Sequence, residues 1–288
     1  MKKIFILLLC SLLVSCNKEE VSKVDYDRIN QIDFSCANEL DLQLHSEEYM
    51  IVDLSEFKVL YSKDSDKQIY PASLTKLMTL DTVLNTVSDL SETSYVSNEQ
   101  IVDLINQDAS IAYIKANYAY SMKDLLYALI LPSGADSAKA IENYYIDRGM
   151  NIIDEMSKQL DKLNCKDTNF VNTTGLHDDS HHTTLNDLLK ILLDILSFEE
   201  GRNILETIDY KLSDGIELNS TLKTIAMKEC SILGGKTGFT DESGQSVIIL
   251  YKTNNRSYAM LLANAMDDRP NKETWHFIDA MEIINKLY

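Results

Sequence analysis

An α+β architecture, with one antiparallel sheet flanked by helices and an all-helical subdomain inserted, is the fold class the sequence predicts. Three observations carry it. Strand-like runs occur early and again late in the chain, amphipathic helical segments fill the middle, and no internal repeat is present. The composition is that of a globular chain. With 45% hydrophobic and 25% charged residues, and only 9 Gly and 3 Pro, disordered and collagen-like designs are excluded.

The first sixteen residues, MKKIFILLLCSLLVSC, read as an address. Lys2 and Lys3 form a basic start, and Ile4 to Val14 is an apolar run too short to span a bilayer but suited to a signal-peptide core. Leu13-Val14-Ser15-Cys16 resembles a bacterial lipobox, which implies cleavage before Cys16 and lipid on its sulfur. The expected organisation is a signal peptide over residues 1–15, an acidic tether over 16–45 and a folded domain over 46–288. The charge balance agrees with an apolar tether. Lys and Arg number 27 against 45 Asp and Glu, a formal −18 that becomes −20 when Lys2 and Lys3 are removed. Such a chain repels anionic lipid and lacks the basic face that nucleic acid requires. Cys36, Cys165 and Cys230 are left, odd in number and far apart; no disulfide framework is expected, although one pair stays open.

Within the domain, Tyr49 to Leu54 and Lys58 to Lys63 read as a hairpin about a Ser-Glu-Phe turn. From Ser73 onward, Leu74, Leu77, Met78, Leu80 and Val83 recur at helical spacing. Residues 98–165 are mostly helical in pattern, with Ser121 and Asp124 forming a cap before LLYALIL, and with helices expected over Ala135 to Tyr145 and Ile152 to Leu163. Thr184 to Ser197 is a further amphipathic helix, again with an acid at the fourth position, Asp187. Strands are then expected around Ile208 to Leu212, Leu233 to Gly238, Ser246 to Tyr251 and Ser257 to Asn264, and a last helix over Lys272 to Leu287 covers the sheet. Trp275 and Phe277 in that helix are read as core.

Three short clusters carry chemistry. In Pro71-Ala-Ser73-Leu-Thr-Lys76, the serine and lysine are three apart at a helix start and share a face. A serine needs a neighbouring base, and a lysine serves only if burial, a helix N-terminus or another cation lowers its pKa. Taken alone, this spacing is equally that of a helix cap followed by a surface lysine. In Ser231-Ile-Leu-Gly-Gly-Lys236-Thr237-Gly238-Phe239-Thr240, glycines let another backbone approach a strand edge, where an extended peptide could pair. Lys236 and Thr237 offer a cation and a hydroxyl to a terminal carboxylate. The run lacks the upstream glycine of a P-loop. In Leu131-Pro-Ser133-Gly134-Ala135-Asp136, the serine sits between two helices and could project into a cleft or merely cap the second.

Together, in the order S-x-x-K, S-x-x and K-T-G, these clusters resemble the penicillin-recognising serine enzymes. PASLTKLMT, DLLYALILPSGADSA, NFVNTTGLH and GGKTGFTDESGQS are similar to blocks of the low-molecular-mass penicillin-binding proteins, the serine-type D-alanyl-D-alanine carboxypeptidases (peptidase S11-like), over about residues 47–266. The resemblance implies a β-lactamase/transpeptidase-like fold. It implies Ser73 as the acylated nucleophile, Lys76 as its base and Ser133 as a relay to the leaving amine. Lys236 and Thr237, with Gly238 and Phe239 beside them, would hold the substrate, and the Ser73 and Phe239 N–H groups would form an oxyanion hole. The expected partners are a peptidoglycan stem peptide and β-lactams, the expected cofactors none. The expected place is the extracytoplasmic face of a bacterial membrane, held through lipid on Cys16. Many members of that family carry a C-terminal β domain and an anchoring helix; this chain reaches Tyr288 soon after the last block, so the lipid is expected to replace that anchor.

Two departures bear on this reading. The middle motif is usually S-x-N, and position 135 is Ala, which removes an amide that would contact the lysine and the substrate. The run His177-Asp-Asp-Ser-His181-His182 invites zinc, but it lacks HExxH and lies in a stretch resembling the family's GLH…HxST loop. It is read as a polar loop bordering the cleft, with Asn172 and Gly175 as structural residues and no metal. Alternatives are a D,D-endopeptidase using the same site and, on the strength of Ala135, a non-catalytic peptidoglycan-binding lipoprotein. A β-lactamase is disfavoured because the loop after residue 150 shows no clear E-x-x-x-N block to supply a deacylating carboxylate.

Overall fold

The computed structural model describes residues 31–34, 38–225, 231–266 and 274–287. The leader, Cys16, Cys36 and Cys230 lie outside them. The main sheet has five strands: β1 (Ser46–Asp53), β2 (Lys58–Lys63), β7 (Ser231–Thr240), β8 (Gly244–Thr253) and β9 (Arg256–Ala265). Their order is β2-β1-β9-β8-β7, and every pairing is antiparallel, so both ends of the chain build one sheet and β7 forms an edge.

Between β2 and β7 the chain leaves the sheet and folds as helices. A 3-10 turn, Ala72–Leu74, leads into α1 (Thr75–Thr86). There follow β3 (Thr93–Ser94), α2 (Asn98–Asn106), β4 (Tyr120–Ser121), α3 (Met122–Ile130), α4 (Ala135–Ile146), α5 (Ile152–Lys162), α6 (Leu185–Ser197) and α7 (Glu199–Leu205). Side-chain caps set the starts as the sequence predicts. Ser121 Oγ accepts from Asp124 N at 3.1 Å, and Thr184 Oγ1 from Asp187 N at 3.1 Å. Residues 107–119, expected to be mostly helical, instead run as a loop.

Two apolar cores lie on opposite faces of the sheet, as alternation along each strand requires. Met50 and Val52 of β1 join Leu77, Met78, Leu125, Leu126, Leu188 and Leu192 of the helices. Tyr49 and Ile51 face the other way and pack with Ile249, Met260, Leu262, Ile283 and Ile284 beneath α8 (Trp275–Leu287). Trp275 is buried and rests on the His45 ring at 4.1 Å. Asp279 ties α8 to the start of β1 by accepting from Ser46 N and Oγ, both at 2.6 Å.

Two further expectations change. The strand around Ile208 to Leu212 does not join the main sheet: β5 (Asp209–Lys211) pairs only with β6 (Glu217–Asn219) in a separate ribbon. The stretch expected as tether is in part packed on the body. Asp33 and Asn38 bridge to β2 in parallel, and Leu40, Leu42 and Leu44 cover the second core. Their alternation is the signature of a half-buried extended segment. Among the described residues no helix is long and apolar enough to cross a membrane.

Candidate active site

The 3-10 turn before α1 lies against edge strand β7 because Gly238 has no side chain. A Cβ there would approach Pro71 O to 3.0 Å and Leu74 N to 3.3 Å. This contact brings Ser73, on the turn, and Phe239, on the strand, to one cleft of about 500 Å³. Lys76, Ser110, Ala135, Thr174, Gly175 and Glu242 also line it.

Ser73 is half-buried, whereas Lys76, one helical turn on, is 2% exposed. Lys76 Nζ stands 2.9 Å from Ser73 Oγ and donates to Thr174 O at 2.5 Å. Burial drives its pKa down to about 7, against the opposing pull of the Asp136 carboxylate. A substantial fraction of the amine is then uncharged at neutral pH and able to accept the Ser73 proton.

Ser133, between α3 and α4, is buried and held in the left-handed region at φ 65°. A serine pays for that conformation, which here turns its hydroxyl toward β7. Lys236 Nζ, fully buried, donates to Ser133 Oγ at 2.8 Å and to Thr237 O at 2.7 Å. Burial first, and then the charge of Lys76, hold the Lys236 pKa well below the ordinary lysine value. The Thr237 hydroxyl, half-exposed, donates to Thr221 Oγ1 at 2.8 Å. The structure therefore places Ser73, Lys76 and Phe239 on the cleft wall, with Ser133 and Lys236 in a bonded pair behind it and Thr237 and Gly238 joining them along β7.

Two participants escape a motif reading. Asp136, fully buried in the first turn of α4, accepts from Ala112 N (2.8 Å) and Ser137 N (2.9 Å) on one oxygen and from Ile114 N (3.1 Å) on the other. Its only sequence signal is an acid in a helical first turn, a common surface pattern. The second is the carbonyl of Thr174, and a backbone oxygen leaves no residue-type signal at all.

The histidines divide. His181 is buried with both ring nitrogens engaged: Nδ1 accepts from Val171 N at 3.0 Å and Nε2 lies 2.7 Å from Thr75 Oγ1. Burial lowers its pKa to about 4. His177 lies at the cleft, edge-on to Tyr70 at 4.7 Å and 3.3 Å from Asp179. Among the described residues no group of three or more His, Cys, Asp or Glu side chains is arranged to hold a metal ion.

Comparison with known proteins places this geometry in context. The sequence profile of the family described as Peptidase S11, D-alanyl-D-alanine carboxypeptidase, matches residues 35–267. The D-alanyl-D-alanine carboxypeptidase DacF of Bacillus subtilis is 22% identical over 239 residues, 80% of this chain and 60% of its own length. The D-alanyl-D-alanine endopeptidase of Escherichia coli is 27% identical over 252 residues, 84% of this chain and 76% of its own. Penicillin-binding protein D2 of Listeria monocytogenes, solved in an ampicillin-bound form, superposes with a TM-score of 0.69 at 24% identity, covering 85% of this chain and 98% of that one. The chain thus spans about 60% of the length of the Bacillus carboxypeptidase.

Proposed function

The chain belongs to the Peptidase S11 family of D-alanyl-D-alanine carboxypeptidases, and on that premise we propose that it removes the terminal D-Ala from peptidoglycan stem peptides through an acyl-enzyme on Ser73. The observation that carries this reading is the 2.9 Å approach of a buried, pKa-lowered Lys76 amine to a cleft-facing serine hydroxyl.

A stem peptide lies along the β7 edge with its terminal carboxylate toward Thr237 and within the field of Lys236. Ser73 Oγ attacks the carbonyl carbon of the penultimate D-Ala, and its proton passes to the uncharged Lys76 amine. The Ser73 and Phe239 N–H groups receive the developing oxyanion, donors typically worth about 2.7–4 kcal/mol each at the transition state. As the C–N bond breaks, Lys76 returns the proton to the leaving D-Ala amine through the Ser133 hydroxyl, which Lys236 holds. Water then attacks the ester, losing a proton to Lys76, and Ser73 regains its own.

β-Lactams enter the same path, since their strained amide occupies the place of the scissile bond; the ampicillin-bound Listeria protein of similar fold supports this. Intact-mass measurement after exposure to penicillin tests the proposal. One adduct on the wild type and none on Ser73→Ala is expected; an unmodified wild type sinks it. The similarity to the E. coli endopeptidase favours a second reading, cleavage of D-Ala cross-links by the same residues. Faster turnover of cross-linked muropeptides than of pentapeptide would select it. Peptide binding without turnover, recovered in Ala135→Asn, would select the non-catalytic reading instead. Action is proposed outside the cytoplasm, with Cys16 lipidated; labelled palmitate should enter the wild type and not Cys16→Ala.

A further inference from the structure

The lysine that would serve as base lacks the amide usual at position 135, yet it is not short of an acceptor. Thr174 O takes one Lys76 N–H at 2.5 Å. An uncharged amine has two N–H bonds and one lone pair. Fixing one N–H on a stationary carbonyl stops the amine rotating and leaves the lone pair two positions, and Ser73 Oγ stands 2.9 Å away on that same nitrogen.

That carbonyl is held by one side chain. Asn172 Oδ1 accepts from Thr174 N (3.1 Å), Thr174 Oγ1 (3.1 Å) and Gly175 N (2.7 Å), while Nδ2 donates to Leu176 O at 2.9 Å. Four bonds from one amide thus close the turn over residues 172–176. The turn is bolted to the nucleophile's own scaffold. Thr79 Oγ1 on α1 donates to Thr173 O at 3.0 Å, and Thr173 Oγ1 donates to Glu142 on α4 at 2.5 Å. Gly175, at φ 81°, lies so close that a Cβ would meet Ala72 O at 1.9 Å.

We propose that Asn172 is a positioning residue for the Ser73–Lys76 pair, acting through the Thr174 carbonyl, which stands in for the amide missing at Ala135. The inference rests on the acyl-enzyme reading above for its kinetic consequence, but not for its structural one. Lys76 is 2% exposed in a cleft that Thr174 and Gly175 of this turn also line, so loosening the turn should admit water to the amine and favour the charged form.

The test compares Asn172→Ala, Asn172→Ser and Thr174→Val with the wild type. One readout is the Lys76 titration, followed through its side-chain resonance in lysine-labelled protein and assigned by its loss in Lys76→Ala. The other is penicillin acylation, separated into binding and maximal rate. Asn172→Ala should raise the Lys76 midpoint toward the ordinary lysine value and slow acylation about 10²-fold, with half-saturation little changed. Asn172→Ser, whose hydroxyl forms the weaker version of the same turn, should fall between. Thr174→Val keeps the carbonyl but removes the hydroxyl that donates to Asn172 Oδ1 and accepts from Leu176 N, and should move the midpoint in the same direction by less than Asn172→Ala does. A folded Asn172→Ala with an unmoved midpoint overturns the inference, as does equal impairment of the Ala and Ser variants. If Asn172→Ala does not fold, an unmoved midpoint in Asn172→Ser overturns it. Failure of wild-type protein to acylate would overturn the acyl-enzyme reading alone, since the titration is read without turnover.

Discussion

Ser133 and Lys236, 103 residues apart, are joined by a 2.8 Å hydrogen bond across the seam between the helical lobe and the sheet. The bond couples a strained backbone position to a fully buried amine, so each side chain depends on the other. Removing the hydroxyl leaves Lys236 with the Thr237 carbonyl as its remaining acceptor among the described residues. Ser133→Ala should therefore destabilise the fold by about 1–3 kcal/mol, measured by urea unfolding. It should also slow acylation of Ser73 by about 10²-fold or more, the usual scale for a lost proton-transfer group. A variant that acylates at the wild-type rate would remove Ser133 from the proton path.

As the proposed base, the Lys76 amine must be uncharged to act. Burial brings its pKa to about 7, so below that pH the amine holds its proton and cannot take another from Ser73. Acylation by penicillin should rise through an acid limb centred near pH 7 and fall about tenfold for each further unit of acid. A limb near pH 4, or none between pH 5 and 9, would point to a base other than Lys76.

Asp136 opposes the burial of Lys76, its negative charge favouring the ammonium form. Asp136→Asn removes that charge in nearly the same volume. The acid limb should then move to lower pH, and the sign is fixed: without the carboxylate the ammonium is less stable and releases its proton sooner. The substitution has a structural cost, because an NH2 group placed opposite Ala112 N and Ser137 N or opposite Ile114 N sets donor against donor. A limb displaced upward would show that Asp136 acts on Lys76 through packing alone.

What the sequence makes legible, and what it hides, divides along physical lines. The hairpin β1–β2, the capped starts of α3 and α6, and the three long strands β7, β8 and β9 are set by local pattern. Alternation, a Ser or Thr three residues before an acid, and apolar runs between turns all belong to the segment itself. The Ser73–Lys76 proximity is of this kind, since three residues on a helical turn share a face. Pairing partners are not local. The strand at 209–211 reads like any other, but its neighbours are 217–219, and nothing within three residues distinguishes the ribbon from the sheet. Leu40, Leu42 and Leu44 alternate within a stretch whose charge suggested solvent, and three positions are a weak signal against that composition. Asp136 and the Thr174 carbonyl were hidden for a different reason. One is defined by the backbone groups around it and the other has no side chain to read.

His181 makes the loop packed on the Ser73 turn sensitive to acid. Thr75 Oγ1 donates to Ala72 O at 2.7 Å, so its proton is committed and His181 Nε2 must be the donor across their 2.7 Å contact. Nδ1 is then the acceptor of Val171 N–H, which fixes the tautomer of a neutral ring. Protonation would set a second N–H on Nδ1 against that of Val171. The folded pKa is depressed to about 4 from an ordinary 6.5. Between those values the unfolded chain binds the proton and the folded one does not, so stability is complete above pH 6.5 and is lost as pH falls toward 4. The loss from this group should reach about 2 kcal/mol by pH 5. His276, likewise lowered to about 4 by burial, adds in the same direction. Urea unfolding at pH 7 and pH 5 measures the sum. His181→Asn, whose Oδ1 replaces the Nδ1 acceptor without a titrating ring, should lose less stability between those pH values than the wild type. The wild-type loop should also loosen first at Val171, seen as lower protection of its amide relative to the intrinsic exchange rate at pH 5 than at pH 7. Identical pH dependence in wild type and variant would mean that the His181 ring does not set the acid limit of the fold.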